Sequence, residues 1–578
     1  MKAKIYSIYD IFSLAQSDHC SVELLYISQE KQIFLDNGAI NLSLQLEKCT
    51  NLKYLELQLM YSFITYTGAQ SLGRGLSNLT KLQDVNINLR RNSIKCEGLI
   101  ELINGLSGQI NLRNLELDIG ENYLDDDTVS KLFSCIYQFK DLSMVSIDIS
   151  ENNLTEKCTL GAQQGFSSNI LFSQLQINFN WNKIGDTGLL YFGKGISKCS
   201  NLRKLSLNLE WNQITEQGIA DLSQGLSNCV FLNELQLNLY KNEIKEEGLQ
   251  KLGQTLINCT NLYFLQINYP NFFATKSFVN NGMSELIKHL SQQEQLKNLS
   301  LDFSKQNITE SACINLGQSI ALCTHLQYLT INLQDNCIQQ NGAESLGKGI
   351  NSCGVNLKSL NLNLYGNIIE DKGLEYIGNG ILSCNKLTYL NLNCSRTAIG
   401  DNGIIGLSKG LQNCKELKDL ILNFSSNKVK QNGSISLGNI FDKLLNLQVL
   451  SINVLGNSVS SIGAQKLTYK LRFCTKLKSL TLNFGVQSLI ERIVDSDFSQ
   501  ISESIQMLSQ LKVLQLNLSK QQSISFNGVS CLFQINNLKY LMYLTIDLYQ
   551  NIYSKANQQK LKSYIMKSKR LVFFSIRF

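Results

Sequence analysis

The sequence predicts an α/β solenoid, a horseshoe-like stack with a parallel sheet on its concave face and helices on its convex face. Three observations predict it. A segment of about 30 residues recurs along nearly all of the 578 residues, and such a period marks stacked supersecondary repeats rather than independent domains. Within each copy an alternating apolar pattern gives way to a helical one. The chain has one proline, Pro270, so Pro-rich linkers between domains are absent.

The recurrence is direct. Residues 201–229 read NLRKLSLNLEWNQITEQGIADLSQGLSNC, residues 231–259 read FLNELQLNLYKNEIKEEGLQKLGQTLINC, and residues 387–414 read LTYLNLNCSRTAIGDNGIIGLSKGLQNC. About nineteen repeats begin between Val22 and Leu571, and fifteen of the eighteen intervals are 30 residues. The repeat domain is therefore placed at 22–578, with residues 1–21 as an N-terminal cap. In Leu205-Ser206-Leu207-Asn208-Leu209 the apolar residues alternate, as in a strand with one buried face. Between Gly188 and Cys199, Leu189, Phe192, Ile196 and Cys199 are spaced three or four apart, one side of a helix. A strand, a helix and a return within 30 residues force successive strands to run parallel. No repeat buries its own apolar face, so stacking makes the core.

Composition narrows the function. A hydrophobic content of 43% is ample for a continuous core, and a net charge of +7 over this length is too dilute to point to nucleic acid. The apolar run after Met1 is broken by Asp10 and leads to no small-residue cleavage site. No stretch reaches eighteen uninterrupted apolar residues, so no membrane span is expected and the reading is a soluble, cytoplasmic protein. The seventeen cysteines contain no C-x-x-C pair, and His19, His289 and His325 are scattered, so neither a metal nor another cofactor is expected.

The pattern L-x-x-L-x-L-x-L-x-x-N-x-I, followed by G-x-x-x-L, resembles the leucine-rich-repeat superfamily. The long repeat with a helical second half is similar to the ribonuclease-inhibitor-like class, and the Asn-, Gln- and Lys-rich 30-residue form resembles arrays of ciliates. One strand pair more than the common family form, as in Asn208-Leu209, implies longer strands. Some such ciliate arrays accompany a kinase domain, but the kinase motifs are missing here. The resemblance implies that Asn92, Asn122, Asn152, Asn182, Asn212, Asn242, Asn336, Asn367, Asn427, Asn457 and Asn551 form the family's asparagine ladder, satisfying backbone groups where each strand turns away. It also permits an alternative role as a regulator of a small GTPase resembling Ran GTPase activators, though no residue matches that role.

Other columns carry two readings each. An Asn or Asp, as in Asn88, Asp118, Asp148, Asn178 and Asn208, recurs between two inward leucines and faces outward. It is either a register zipper along the sheet or a polar carpet for a ligand. Cys199, Cys229, Cys259 and their equivalents end the helix as small buried hydrophobes, too far apart for disulfides. Gly193-Lys194-Gly195 and Gly347-Lys348-Gly349 lie inside helices, where glycine permits close packing, and are not phosphate loops. Asp186, Glu216, Glu246, Asp371 and Asp401 favour helix N-termini. Lys53, Arg113, Arg203, Lys297, Lys358, Lys418, Lys478 and Lys512 mark the strand entrances. These basic residues either solvate that edge or steer an acidic partner.

Function in a repeat array resides where the repeats differ. The two residues after the last strand leucine vary most, reading Arg90-Arg91, Asn180-Trp181, Glu210-Trp211, Tyr240-Lys241, Tyr365-Gly366 and Ser395-Arg396 in six repeats. Both tryptophans of the chain fall in this exposed slot. Trp, Tyr and Arg dominate interface energies. The candidate hot spot is therefore Trp181, Trp211, Tyr240 and Lys241, with Arg90, Arg91, Tyr365 and Arg396 as further contacts. Phe272 and Phe273, beside Pro270 in a lengthened repeat, form a second candidate. No catalytic constellation is visible, and the reading is a non-enzymatic scaffold for a protein partner.

Overall fold

The computed structural model describes residues 3–5, 19–29, 33–166, 172–270, 281–485, 493–521, 524–531, 538–551, 553–566 and 570–578. The chain forms two compact units, Met1–Pro270 (unit 1) and Asn271–Phe578 (unit 2).

Unit 1 carries the strands β1 (Ala3–Ile5), β2 (Val22–Ser28), β3 (Tyr54–Gln58), β4 (Asp84–Asn88), β5 (Asn114–Asp118), β6 (Met144–Asp148), β7 (Gln174–Asn178), β8 (Lys204–Asn208), β9 (Glu234–Asn238) and β10 (Phe264–Asn268). Each pairs in parallel with the next, and from β2 onward the register does not slip. Unit 2 repeats the arrangement from β11 (Asn298–Asp302) to β20 (Phe573–Arg577). Helices alternate with the strands and return the chain, which is why consecutive strands share a direction.

The apolar periods become burial as read. Leu205, Leu207 and Leu209 are at most 1% exposed, while Lys204, Ser206 and Asn208 face outward and are half-buried. The Gly185–Ile196 helix buries Leu189, Phe192 and Ile196, and Cys199 follows at 2% exposure. Glycine sets the distance between neighbouring helices. A Cβ on Gly225 would stand 2.2 Å from the Gly193 carbonyl oxygen, a contact no side chain tolerates. Both Gly-Lys-Gly segments lie within helices, Gly185–Ile196 and Gln340–Cys353, as helix-contact residues.

The polar columns join one repeat to the next. The Asn92 amide donates to Leu59 O and Leu89 O, each at 2.9 Å, and its Oδ1 accepts from Ser62 N and Ile64 N at 3.1 and 2.9 Å. Asn122, Asn152, Asn182, Asn212 and Asn242 are buried in the same bonds. The acidic residues at helix starts reach across as well. Asp186 accepts from Thr215 N (2.8 Å) and Thr215 Oγ1 (2.6 Å), and Asp126 holds Thr155 the same way. The outward Asn/Asp column zips laterally, with Asn178 Nδ2 donating to Asp148 at 2.6 Å and Asn238 Nδ2 to Asn208 at 2.9 Å.

One expectation needs correction. The strands are not lengthened; from β3 onward they are five residues, an ordinary length. The outward Asn or Asp ends them, because its Oδ1 accepts from the backbone N–H two residues on. Asn88 takes Arg90 N at 3.0 Å, and Asn208 takes Glu210 N at 3.2 Å. Such a side-chain turn draws the backbone out of the extended form.

The cysteines are free. Cys199 and Cys229 donate weakly to Phe166 O (3.8 Å) and Ile196 O (3.7 Å) of the preceding helix end. Burial pushes Cys229 and Cys259 up to about 12, so both are neutral thiols. Phe272 and Phe273 lie outside the described residues, as do residues 486–492 of the other lengthened repeat.

Candidate protein-binding site

Strands β4 to β9 leave the sheet through the same turn. The Asn or Asp closes it, the next-but-one residue follows, and the one after that takes a left-handed backbone. Arg91, Glu121, Glu151, Trp181, Trp211 and Lys241 all have φ between +54° and +58°. For an L-residue this conformation costs roughly 1–2 kcal/mol. The neighbouring repeat holds it: Trp181 N donates to Glu210 O at 3.0 Å, and Trp211 N to Tyr240 O at 2.9 Å. The result is a row of side chains along the strand-exit edge, one per repeat.

Four predicted residues meet there. The Trp181 and Trp211 rings lie 4.0 Å apart, tilted by 30°. The Lys241 ammonium sits 3.9 Å from the Trp211 ring, 5.2 Å from Tyr240 and 5.5 Å from Trp181. The indoles remain 46% and 37% exposed. A pair stacked at this distance keeps its outer faces in water, and a cation over the rings adds an attraction of roughly 0.5–1 kcal/mol at an exposed site.

Arg90 is placed differently from the exposed cation the sequence suggested, whereas Arg91 is exposed. Arg90 is drawn inward by carboxylates of the next two repeats, Glu121 (2.8 Å), Glu151 (2.6 Å) and Asp148 (3.5 Å), and donates to Ser150 Oγ at 2.6 Å. Arg91 pairs with Glu121 at 2.8 Å. Both cross-link neighbouring repeats along the edge, Arg91 from an exposed position. In unit 2, Arg396 stands 6.0 Å over the Tyr365 ring, a contact of the same kind.

Three aromatics at this edge were missed. Tyr61, Phe63 and Tyr123 are 49%, 51% and 75% exposed. With Arg91, Glu121, Glu151 and Asn153 they line a hollow of about 820 Å³. Glu151 and Asn153 also border a hollow of about 300 Å³ beside Trp181 and Trp211, so the two hollows adjoin along the edge. Phe63 and Tyr123 occupy the position after the ladder residue, which the repeat pattern leaves open. Large aromatics in that open position were the available signal.

The sheet face of unit 1 has its own chemistry. Glu56 on β3, Asp84 on β4, Glu116 and Asp118 on β5 and Asp148 on β6 share it. A hollow of about 400 Å³ lies over this face, lined by Glu116, Asp118, Asp148 and neighbouring Asn, Gln and Ser. Burial and the Asp148 charge raise Asp118 to about 6, against the Gly120 N–H and Arg90, which lower it. Burial, then Glu56 and Asp84, raise Glu116. The strand-entrance lysines sort otherwise. Lys53 pairs with Glu23 at 3.5 Å, whereas Lys358, Lys418, Lys478 and Lys512 of unit 2 are exposed.

Among the described residues no three His, Cys, Asp or Glu side chains are arranged to hold a metal ion, and no helix is long and apolar enough to cross a membrane.

The Leucine Rich repeat family model matches residues 175–193, 323–347 and 383–408. With helices alternating along parallel sheets, the fold is an α/β leucine-rich-repeat solenoid. No curated protein matches the chain. Repeats of this type suggest a protein-interaction scaffold.

Proposed function

We propose that the chain is a non-catalytic, cytoplasmic scaffold of the ribonuclease-inhibitor-like kind, which captures a protein partner on the strand-exit edge of unit 1. The observation that carries this reading is the stacked Trp181–Trp211 pair, half in water and flanked by adjoining hollows. Exposed indoles held in a costly backbone conformation are retained where covering them contributes binding energy. Tyr240 and Lys241 complete the anchor, and Tyr61, Phe63 and Tyr123 extend it. Seventeen free thiols suit a reducing compartment. In unit 2 the exposed Lys358, Lys418, Lys478 and Lys512 favour an acidic segment of a partner at the strand entrances.

The test is side-by-side affinity capture from a native lysate with wild type and Trp181→Ala/Trp211→Ala. Loss of a hot-spot residue weakens binding by about 2 kcal/mol or more, so partner recovery drops at least tenfold while the unfolding midpoint stays put. Equal recovery by both chains contradicts the reading.

A further inference from the structure

We propose that the sheet face of unit 1, from β3 to β6, docks an extended segment rich in lysine or arginine. This names a partner chemistry for the scaffold reading and rests on it. Five carboxylates, Glu56, Asp84, Glu116, Asp118 and Asp148, stand on adjacent strands of a sheet face that no helix or loop covers among the described residues. Their contacts are almost all neutral. The Tyr54 hydroxyl donates to Glu56, as does Gln58 Nε2 at 3.1 Å. Asn114 donates to Asp84, and Asn86 to Glu116 at 2.8 Å. Asp118 takes the Gly120 N–H at 3.2 Å. Among the described residues only Asp148 has an ion pair, with Arg90 at 3.5 Å, and that guanidinium also serves Glu121 and Glu151.

Geometry decides which cation fits. No three of these acids can share one metal ion, so the charge is spread along a ribbon rather than gathered at a point. The acids fall on three register levels, Asp84 on the first, Glu56 and Glu116 on the second, and Asp118 and Asp148 on the third, and three inter-strand steps of about 4.8 Å spread them over roughly 14 Å across the strands. An extended peptide advances about 3.3 Å per residue and presents alternate side chains to one face. Five residues with cations at alternate positions therefore span that staggered patch. The hollow of about 400 Å³ over β3–β8 gives their aliphatic stems room, and its Asn, Gln and Ser side chains offer hydrogen bonds. Burial first, and the neighbouring acids after it, raise Glu116 and Asp118, so a cation brought to this face relieves part of the repulsion between them. The sheet face of unit 2 carries Ser, Thr and Asn at most matching positions, as in Thr330, Asn361, Asn391 and Ser451, and is no substitute.

The experiment uses the full chain and fluorescein-labelled ten-residue peptides of alternating Arg-Ser, Glu-Ser and Gln-Ser, followed by fluorescence anisotropy at low and physiological salt. The charge variant is Glu56→Gln/Asp84→Asn/Glu116→Gln/Asp118→Asn. Glutamine and asparagine already stand at equivalent positions in Gln176 and Asn178, so the repeat accommodates them. The proposal expects wild type to bind the Arg-Ser peptide at least tenfold more tightly than either control, with affinity falling as salt rises. The charge variant loses that preference, and Trp181→Ala/Trp211→Ala keeps it within twofold. Equal binding by wild type and the charge variant overturns the proposal, as does preference for the acidic or neutral peptide. Loss in the tryptophan variant alone moves the cation onto the indoles and also overturns it. Lysate capture by the tryptophan variant tests the scaffold reading separately, so either idea can fail without the other.

Discussion

Tyr269 stands where the other repeats have a buried apolar residue such as Ile149, Phe179 or Leu209, and it replaces an asparagine three residues away. The ladder position after Asn242 is Phe272, which carries no amide. Ile214 N donates to Asn242 Oδ1 at 3.0 Å; one repeat later Ile244 N donates to the Tyr269 hydroxyl at 2.9 Å. That hydroxyl is buried and points back at Ile244 O (3.0 Å) and Asn242 O (3.1 Å). Tyr269→Phe leaves a buried N–H without its acceptor and lowers stability by about 1–3 kcal/mol. Urea unfolding reads this, and an unchanged midpoint contradicts it. Asp118 gives a prediction of opposite sign. Its folded value of about 6 lies above the ordinary carboxylate range, because burial, and after it the Asp148 charge, outweigh the Gly120 N–H and Arg90. The folded state then binds the proton more tightly than the unfolded one, so stability falls as pH rises from about 4 to about 6. Asp118→Asn raises the thermal midpoint at pH 7.5 and gives no gain at pH 4; equal shifts at both contradict the assignment. The indole pair was legible from sequence, because one slot in consecutive repeats held both tryptophans. The fate of Arg90 was not, since its partners lie one and two repeats away and only the stack brings them together.

At the scale of the element, strands and helices followed from apolar spacing, because one buried face requires one period. Where a strand stops did not follow. It depends on whether an outward Asn spends its oxygen on the N–H two residues ahead, as Asn208 does, and apolar spacing is blind to that. The helices carry a second constraint, closeness. Gly225→Ala drives a methyl into the Gly193 backbone, and overpacking of this kind destabilises by about 1–3 kcal/mol. Guanidinium unfolding measures the loss. A variant as stable as wild type would mean that the helices sit further apart than described.

Across the whole molecule, the repeats supply a body and the exceptions supply the surface chemistry. The 30-residue period made the body readable, since each repeat must bury its face on the next. The chemistry was less readable because it is distributed. Acids on β3 to β6 belong to different repeats, each ordinary alone, and become a ribbon only when the strands pair in register. The strand-exit edge is built the same way, from one left-handed residue per repeat. Hydrogen exchange on the full chain, free and bound to the partner it captures, tests this edge most directly. The account predicts slowed exchange in the strand-exit turns of unit 1, around Tyr61, Tyr123, Trp181 and Trp211, with the helix surfaces unchanged. Protection confined to the helices, or to unit 2, would contradict it.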